Sequence, residues 1–213
     1  MPKEITTDTT AFRNRKRIYD SFIELAKTKN VETISVKQVT DNAGISRGTF
    51  YLHFADMNDL ITSLEDYLLG EMPLLEDYVD MTQVKTKPTP PTLEECTDTA
   101  WEAAWFTFFD IHKEPLNALL GPHGDANFYN KLKKKLIHVL NSRMILDGFP
   151  HDDLTNYFQS FHADTFIILA SEWTQKKYDD SLNLKALCAI ASTLRIGCQY
   201  SAAIGIQPHG EIK

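Results

Sequence analysis

Residues 35–54 carry two helix starts separated by a helix stop, and they read SVKQVTDNAGISRGTFYLHF. Ser35 and Ser46 are good N-caps, because a serine hydroxyl can accept from the free backbone N–H groups of a first helical turn. Gly44 suits the left-handed conformation that ends a helix. Ala43 and Gly44 are small enough for two helices to cross closely. The stretch therefore predicts a helix-turn-helix.

The second helix of this motif carries side chains suited to a polyanion. Its hydrogen-bond donors and amphipathic groups are Arg47, Thr49, Tyr51 and His53, and it has no carboxylate. A helix in the major groove needs donors for base edges and phosphates. We therefore expect DNA recognition. The alternative is a helical corner with a solvated polar face, since this geometry also occurs in proteins that do not bind DNA.

The run AGISRGTFYLHF at residues 43–54, with a helix before it and Asp59-Leu60 opening another, resembles the TetR/AcrR (tetracycline-repressor) family. The resemblance covers residues 13–70. It implies an all-α homodimer with an N-terminal three-helix helix-turn-helix headpiece and a C-terminal helical domain for effector binding and dimerisation. It also implies a sequence-specific transcriptional regulator, a repressor that a small effector releases from a pseudo-palindromic operator in double-stranded DNA.

Carried onto matching positions, the resemblance implies a set of DNA contacts. It puts Thr49 and Tyr51 on phosphates and Arg47 at the groove. The full set is Arg17, Ser35, Ser46, Arg47, Gly48, Thr49, Tyr51 and His53. One position departs from the pattern. Met57 stands where the family often has a lysine that contacts phosphate, so only a backbone N–H is left for that contact.

Arg17 belongs to a basic cluster at the start of a helix predicted over residues 13–29, with Arg13, Arg15 and Lys16. Cations lie unfavourably at the positive end of a helix dipole. A phosphate backbone would favour them there. The alternative is a solvated run of charges.

The charge of the whole chain is −7, but its distribution is uneven. Residues 1–56 carry nine Lys/Arg against seven Asp/Glu, a net charge of +2, whereas residues 57–213 carry a net charge of −9. A positive headpiece on an acidic body offers one region to DNA. We expect domains at 1–56 and 71–213, linked by a helix over 56–70.

The composition indicates a cytoplasmic protein. The chain has no apolar run long enough for a transmembrane helix, and its polar N-terminus lacks the apolar core of a signal peptide. Three cysteines without C-x-x-C spacing fit reduced thiols. We expect no membrane partner.

The C-terminal part is predicted to be helical after a proline-rich loop at 82–92. Five aromatic residues between 101 and 109 cover more than one helix face, which indicates either full burial or a lined cavity. For a cavity, we expect an apolar or aromatic effector. The expected ligand-binding residues are Trp101, Trp105, Phe109, Phe161 and Thr165.

The last two helices, predicted over 152–177 and 182–204, are the expected dimer seam. Small and apolar residues recur at helical spacing on the second, and close packing between protomers would need them. The expected interface residues are Leu187, Ala191, Leu194, Cys198 and Ala202. The alternative is an ordinary core within one protomer.

No pattern in the sequence indicates an enzyme, a cofactor or a metal site. The seven histidines include no helical pair with zinc-ligand spacing and a carboxylate, and no P-loop, nucleophile elbow or dinucleotide-binding glycine pattern occurs. Two hypotheses remain. The first is a repressor that an effector releases from DNA. The second is a co-regulator that acts through a protein partner with weak or no DNA binding, which Met57 favours.

Overall fold

The computed structural model describes residues 10–87, 89, 92, 94, 98–149, 152–175 and 183–203, with the side chains at 154 and 198–203 left out. All regular secondary structure in these ranges is helical, which confirms the predicted all-α class. The α-helices are α1 (Thr10–Ala26), α2 (Val36–Ala43), α3 (Arg47–Tyr51), α4 (Met57–Gly70), α5 (Ala100–Ile111), α6 (Lys113–Leu120), α7 (Ala126–Leu146), α8 (Asp153–Thr174) and α9 (Leu184–Ala203). Short 3₁₀ turns cover Val31–Thr33 and Leu75–Asp77.

The chain forms two compact units. The first comprises Met1–Glu71 and Glu114–Tyr129, and the second comprises Met72–Lys113 and Asn130–Lys213. The first unit thus takes in α4 and a later segment that the predicted boundaries place in the C-terminal domain. Two contacts explain this. The Val31 N–H donates to the His123 carbonyl at 3.0 Å, and Lys27 Nζ pairs with Glu114 at 3.1 Å.

A small apolar core holds the first three helices together. Ile18 and Phe22 of α1, Val39 of α2 and Phe50 of α3 are all fully buried. Burying a side chain of this size contributes about 1.5–3 kcal/mol. The Ser21 hydroxyl donates to the Val39 carbonyl at 2.9 Å and ties α1 to α2 inside this core. Helix α1 begins and ends three residues before the predicted bounds of 13 and 29.

The predicted caps of the helix-turn-helix are confirmed. Ser35 and Gln38 form a reciprocal capping box at the start of α2. Gly44 ends α2 in the left-handed conformation, with φ 63° and ψ 41°. The Ser46 hydroxyl accepts from the Thr49 N–H at 3.0 Å and starts α3. Orphan backbone groups at both helix ends are therefore satisfied locally, which fixes the turn.

Aromatic packing dominates the second unit. Phe106 of α5 stacks on Phe166 of α8 with ring centroids 4.8 Å apart, and Trp105 meets the same ring edge-on at 5.9 Å. Trp173, further along α8, also contacts Phe106, with ring centroids 6.1 Å apart. Such pairs contribute about 0.5–1.5 kcal/mol each beyond burial. These contacts fix α5 against α8.

Every helix in the described part of the chain is too short or too polar to span a membrane. No group of His, Cys, Asp or Glu side chains in the same part of the chain is arranged to hold a metal ion.

Gly44→Ala should destabilise the first unit. A residue with a Cβ costs about 1–2 kcal/mol in the left-handed region, and the added carbon would lie 3.3 Å from the Arg17 guanidinium. Urea unfolding, followed by helical circular dichroism, should give a lower midpoint. Gly70→Ala is the matched control, because a Cβ there meets nothing within 4 Å. An equal loss in both variants would contradict the role of Gly44.

Candidate functional site

Helix α3 exposes a polar surface and is held to the core by one buried side chain. Phe50 is fully buried, while Tyr51 is 56% exposed and Arg47 is also exposed. None of the described hydrogen bonds or ion pairs involves the Arg47 guanidinium. Of the side chains predicted to contact DNA, Arg47 and Tyr51 thus extend into solvent from one short helix.

Other predicted DNA contacts flank this helix and also help to hold its shape. Thr49 and His53 are half-buried. The hydroxyls of Ser46 and Thr49 lie 2.9 Å apart at the start of α3. Ser35 is exposed at the start of α2, where it forms the capping box. The first turns of both helices therefore lie next to exposed hydroxyl groups.

Gly48 is exposed, and the fold does not require a glycine there. A Cβ at this position would meet only the Ser46 hydroxyl at 3.6 Å, an ordinary van der Waals contact. Glycine inside a helix costs about 0.5–1 kcal/mol relative to alanine. Close approach by another molecule is one physical reason to leave out a side chain at this position.

Arg17 closes over the turn. Its terminal Nη2 donates to the carbonyls of Ala43 at 2.6 Å and Gly44 at 3.3 Å. A cation at the C-terminal end of α2 also meets the negative end of the helix dipole. No pattern in the sequence indicated this structural role of Arg17. The guanidinium has further N–H donors, which these two contacts do not use.

Two neighbours of Arg17 also have intramolecular partners. The Arg15 guanidinium lies 4.9 Å from the centre of the Phe54 ring and donates to the Tyr19 hydroxyl at 3.0 Å. Lys16 pairs with Asp20 at 2.6 Å. Contacts within the first unit therefore account for part of the basic cluster without any phosphate.

The start of α4 carries carboxylates around Met57. The Asp56 carboxylate accepts from the Asp59 N–H at 2.8 Å, and the Asp59 carboxylate accepts from the Ala55 N–H at 2.7 Å. These hydrogen bonds form a reciprocal cap at the positive end of the helix dipole. The side chain at 57 adds no positive charge to this corner.

Among the described residues, the five predicted ligand-binding side chains differ in their surroundings. Trp101 and Trp105 contact each other at 5.6 Å, but Trp105 and Phe109 are fully buried. Phe161 is 61% exposed, and the hydroxyl of Thr165 donates to the Phe161 carbonyl within α8. Burial thus accounts for most of the aromatic residues between 101 and 109. The five ligand-binding residues stay a prediction.

A cavity of about 50 Å³ lies within the second unit. Trp101 is the one predicted ligand-binding residue in its wall. The lining residues are Leu75, Tyr78, Val79, Asp98, Trp101, Glu102, Arg143 and Arg195. This cavity therefore combines apolar and charged groups.

Charged side chains in the wall form ion pairs. Glu102 of α5 and Arg195 of α9 are almost buried and lie 2.8 Å apart. Arg143 of α7 donates through Nε to Asp147 at 3.1 Å. These charged groups are not among the residues predicted from the sequence. A signal was present, because Arg195 is the one Lys or Arg between Lys185 and Lys213.

Two titratable groups lie near this ion pair. The pKa of His162 is lowered from 6.5 to about 4, mainly by burial and to a smaller extent by the charge of Arg195. The pKa of the Cys188 thiol is raised, mainly by burial and to a smaller extent by the charge of Glu102. At neutral pH both groups are therefore uncharged.

The predicted dimer residues fall on two faces of α9. Leu187 and Ala191 are buried within the protomer, because this face packs on neighbouring helices. Leu194 is 41% exposed beside Ile190, also 41% exposed. The side chains of Cys198 and Ala202 lie outside the described residues. Helix α8 has its own exposed apolar stripe, formed by Tyr157, Phe161 and Ile168.

The first three helices and their capped turn define a helix-turn-helix regulator fold. Residues 18–64 match the model of the family described as bacterial regulatory proteins, tetR family. The helix-turn-helix segment of the chain is therefore of the tetR-family type. No curated protein sequence matches the chain.

Solved structures share the fold at low sequence identity. A putative transcriptional regulator from Pseudomonas aeruginosa PAO1 is 13% identical with a TM-score of 0.60, over 97% of this chain and 100% of that one. A TetR-like transcriptional regulator from Rhodococcus sp. RHA1 is 10% identical with a TM-score of 0.56, over 96% and 99%. The transcriptional regulator FadR from Bacillus subtilis, in complex with stearoyl-CoA, is 16% identical with a TM-score of 0.55, over 85% and 97%.

Stability should fall as the pH drops from 6.5 towards 4, in part because of His162. Its pKa is depressed in the folded state, so the unfolded chain binds the proton first and is favoured on acidification. Urea midpoints at pH 6.5 and 5.0 measure the effect above the range in which exposed carboxylates titrate. His162→Gln should flatten this dependence. An unchanged slope would show that His162 does not contribute.

Proposed function

We propose that this chain is a homodimeric repressor that binds a pseudo-palindromic operator and leaves it when a small effector binds. The observation that carries the proposal is the solvent-facing surface of α3, with the exposed side chain of Arg47 and the exposed Gly48. The match of residues 18–64 to the tetR family model supports a transcriptional role. The repressor role, the dimer and the effector are the parts that need experiments.

In the proposed complex, α3 enters the major groove with its first turn nearest the bases. Arg47 then reads a base edge, because a guanidinium can donate two hydrogen bonds to guanine. Thr49 and Tyr51 bind phosphates, which fix the register of the helix. Gly48 lets the helix backbone approach the DNA closely.

The proposed dimer buries the exposed stripes of α8 and α9. Leu194 and Ile190 of one protomer would pack with Phe161 and Ile168 of the other in a four-helix seam. Gly197 is exposed on the same helix and allows close approach. A two-fold dimer places its recognition helices about 34–36 Å apart, or at a multiple, to reach successive major grooves.

The proposed effector binds within the second unit. The sequence favours an apolar or aromatic compound, but charged side chains line much of the described cavity. FadR of Bacillus subtilis is seen with stearoyl-CoA. A cavity of about 50 Å³ has room for only a few water-sized groups, so it does not fit a long acyl chain. The effector proposed here is therefore small and partly polar.

Release from DNA requires a difference in affinity. An effector shifts the protein between two arrangements only as far as it binds one of them more tightly. Reciprocity then requires operator DNA to weaken effector binding by the same factor.

Arg47→Ala should weaken operator binding by about 1–3 kcal/mol, or roughly 5- to 150-fold. It should weaken binding to random DNA much less, because the lost contact is to a base. Gel-shift titrations with the DNA upstream of the chain's own gene, and with random DNA of equal length, measure both affinities at one salt concentration.

Lys134→Ala is the matched control, since it removes an exposed cation from α7 in the second unit and should leave both affinities unchanged. Equal losses on the two DNAs for Arg47→Ala would contradict base reading. If the wild type bound neither DNA, the co-regulator hypothesis would gain, and the carboxylates beside Met57 would supply a reason.

Leu194→Arg should convert the dimer to a folded monomer. The side chain is already 41% exposed in the protomer, so an arginine there disturbs the protomer little but places a charge in the seam. Sedimentation velocity measures the mass, and circular dichroism checks the fold. Ile111→Arg is the matched control, at a position that is 70% exposed on α5. A dimeric Leu194→Arg variant would place the interface elsewhere.

A further inference from the structure

The charged groups of the cavity in the second unit balance each other. Asp98 precedes α5 and Glu102 lies on it, while Arg143 comes from α7 and Arg195 from α9. Two acidic and two arginine side chains therefore line one small space, and their formal charges sum to zero. A ligand with a single charge would add a net charge to this space, whereas a zwitterion would not.

The Glu102–Arg195 pair is costly as a purely structural feature. Both side chains are nearly buried, 5% and 12% exposed, at 2.8 Å. Removing two charges from water costs several kcal/mol per ion, and an apolar pair of similar volume is often as stable. An ion pair that faces a cavity, however, supplies fixed charges to whatever enters.

Arg143 is suited to hold a carboxylate. Its described contact to Asp147 uses Nε, at 3.1 Å. A guanidinium also has two terminal nitrogens, which form a planar fork that matches a carboxylate. The wall of the cavity also includes the less polar side chains of Leu75, Val79 and Trp101.

The size of the cavity limits the ligand. At about 10–15 Å³ for each water-sized group, a volume of about 50 Å³ holds three to five such groups. The head group of an α-amino acid, with a carboxylate, a carbon and an ammonium, is of this size. Tyr78 lines the cavity and is 40% exposed, so it marks an opening through which a side chain can extend.

We propose that this cavity binds the zwitterionic head group of a small amino-acid-like effector. Arg143 holds the carboxylate, Asp98 and Glu102 hold the ammonium group, and Trp101 packs against the carbon between them. Arg195 holds Glu102 in place through the 2.8 Å ion pair. This assignment rests on the proposed role of the second unit in effector binding, and it names the effector class.

Isothermal titration calorimetry on the full chain, without DNA, tests the proposal. The probes are the twenty standard L-amino acids, with propionate and ethylamine as analogues that keep one charge each. We expect saturable binding of at least one amino acid, and at least tenfold weaker binding of both analogues. Absence of binding by all twenty would overturn the proposal, as would binding of either analogue at equal affinity.

Two variants test the assigned contacts. Arg143→Gln should weaken binding of the amino acid at least tenfold, whereas Lys134→Gln, an equal charge change on the exposed face of the same helix, should not. Asp98→Asn gives a second test if Arg143→Gln fails to fold by circular dichroism, and it should also weaken binding at least tenfold. Full affinity in a folded Arg143→Gln or Asp98→Asn variant would overturn the assignment.

These titrations, taken together with the gel-shift titrations on operator DNA, separate this proposal from the proposed function. If the chain binds an amino acid but not operator DNA, the proposed site is supported and the repressor function is contradicted. If the chain binds operator DNA but none of the twenty amino acids, the repressor function is supported and the proposed site is contradicted.

Discussion

At Gly44 the backbone passes through the left-handed region, and the Arg17 guanidinium closes over the same turn from α1. The angle between α2 and α3 depends on this arrangement, because a glycine enters that conformation without a steric penalty and the cation satisfies carbonyls that the end of α2 leaves open. Phe50 is then buried, and Arg47 and Tyr51 extend into solvent. The proposed DNA-contacting surface of α3 thus depends on how α2 ends at Gly44.

The second unit depends on a different constraint, the cost of buried charge. Its aromatic residues fill the space between α5 and α8, and one ion pair, Glu102–Arg195, crosses to α9. The pair adds two charged side chains to the wall of a small cavity in this unit. His162 and Cys188 lie close by. Burial lowers the pKa of His162 and raises the pKa of Cys188, which favours the uncharged form of each. A polar effector site is the function that this combination supports.

Local rules accounted for much of the first unit. Caps at Ser35, Gly44 and Ser46 involve residues within a few positions of each other, so the sequence could reveal them before any tertiary contact was known. The basic cluster of α1 was harder to interpret. Contacts to Phe54 and to the end of α2, which lie 26 or more positions away, give Arg15 and Arg17 their partners, and helical periodicity carries no information about such contacts.

The sequence by itself determined the all-α class, the helix-turn-helix and the residues that α3 exposes, because short-range caps and periodic apolar positions decide those features. Only the tertiary structure decided which aromatic residues are core and which are surface. It also decided that Leu187 and Ala191 face inward while Ile190 and Leu194 face outward. The physical reason is that several faces of an apolar helix are equally fit for burial, and the neighbouring helices select among them. The same selection brought Arg143 and Arg195 to one cavity from helices that are far apart in the sequence.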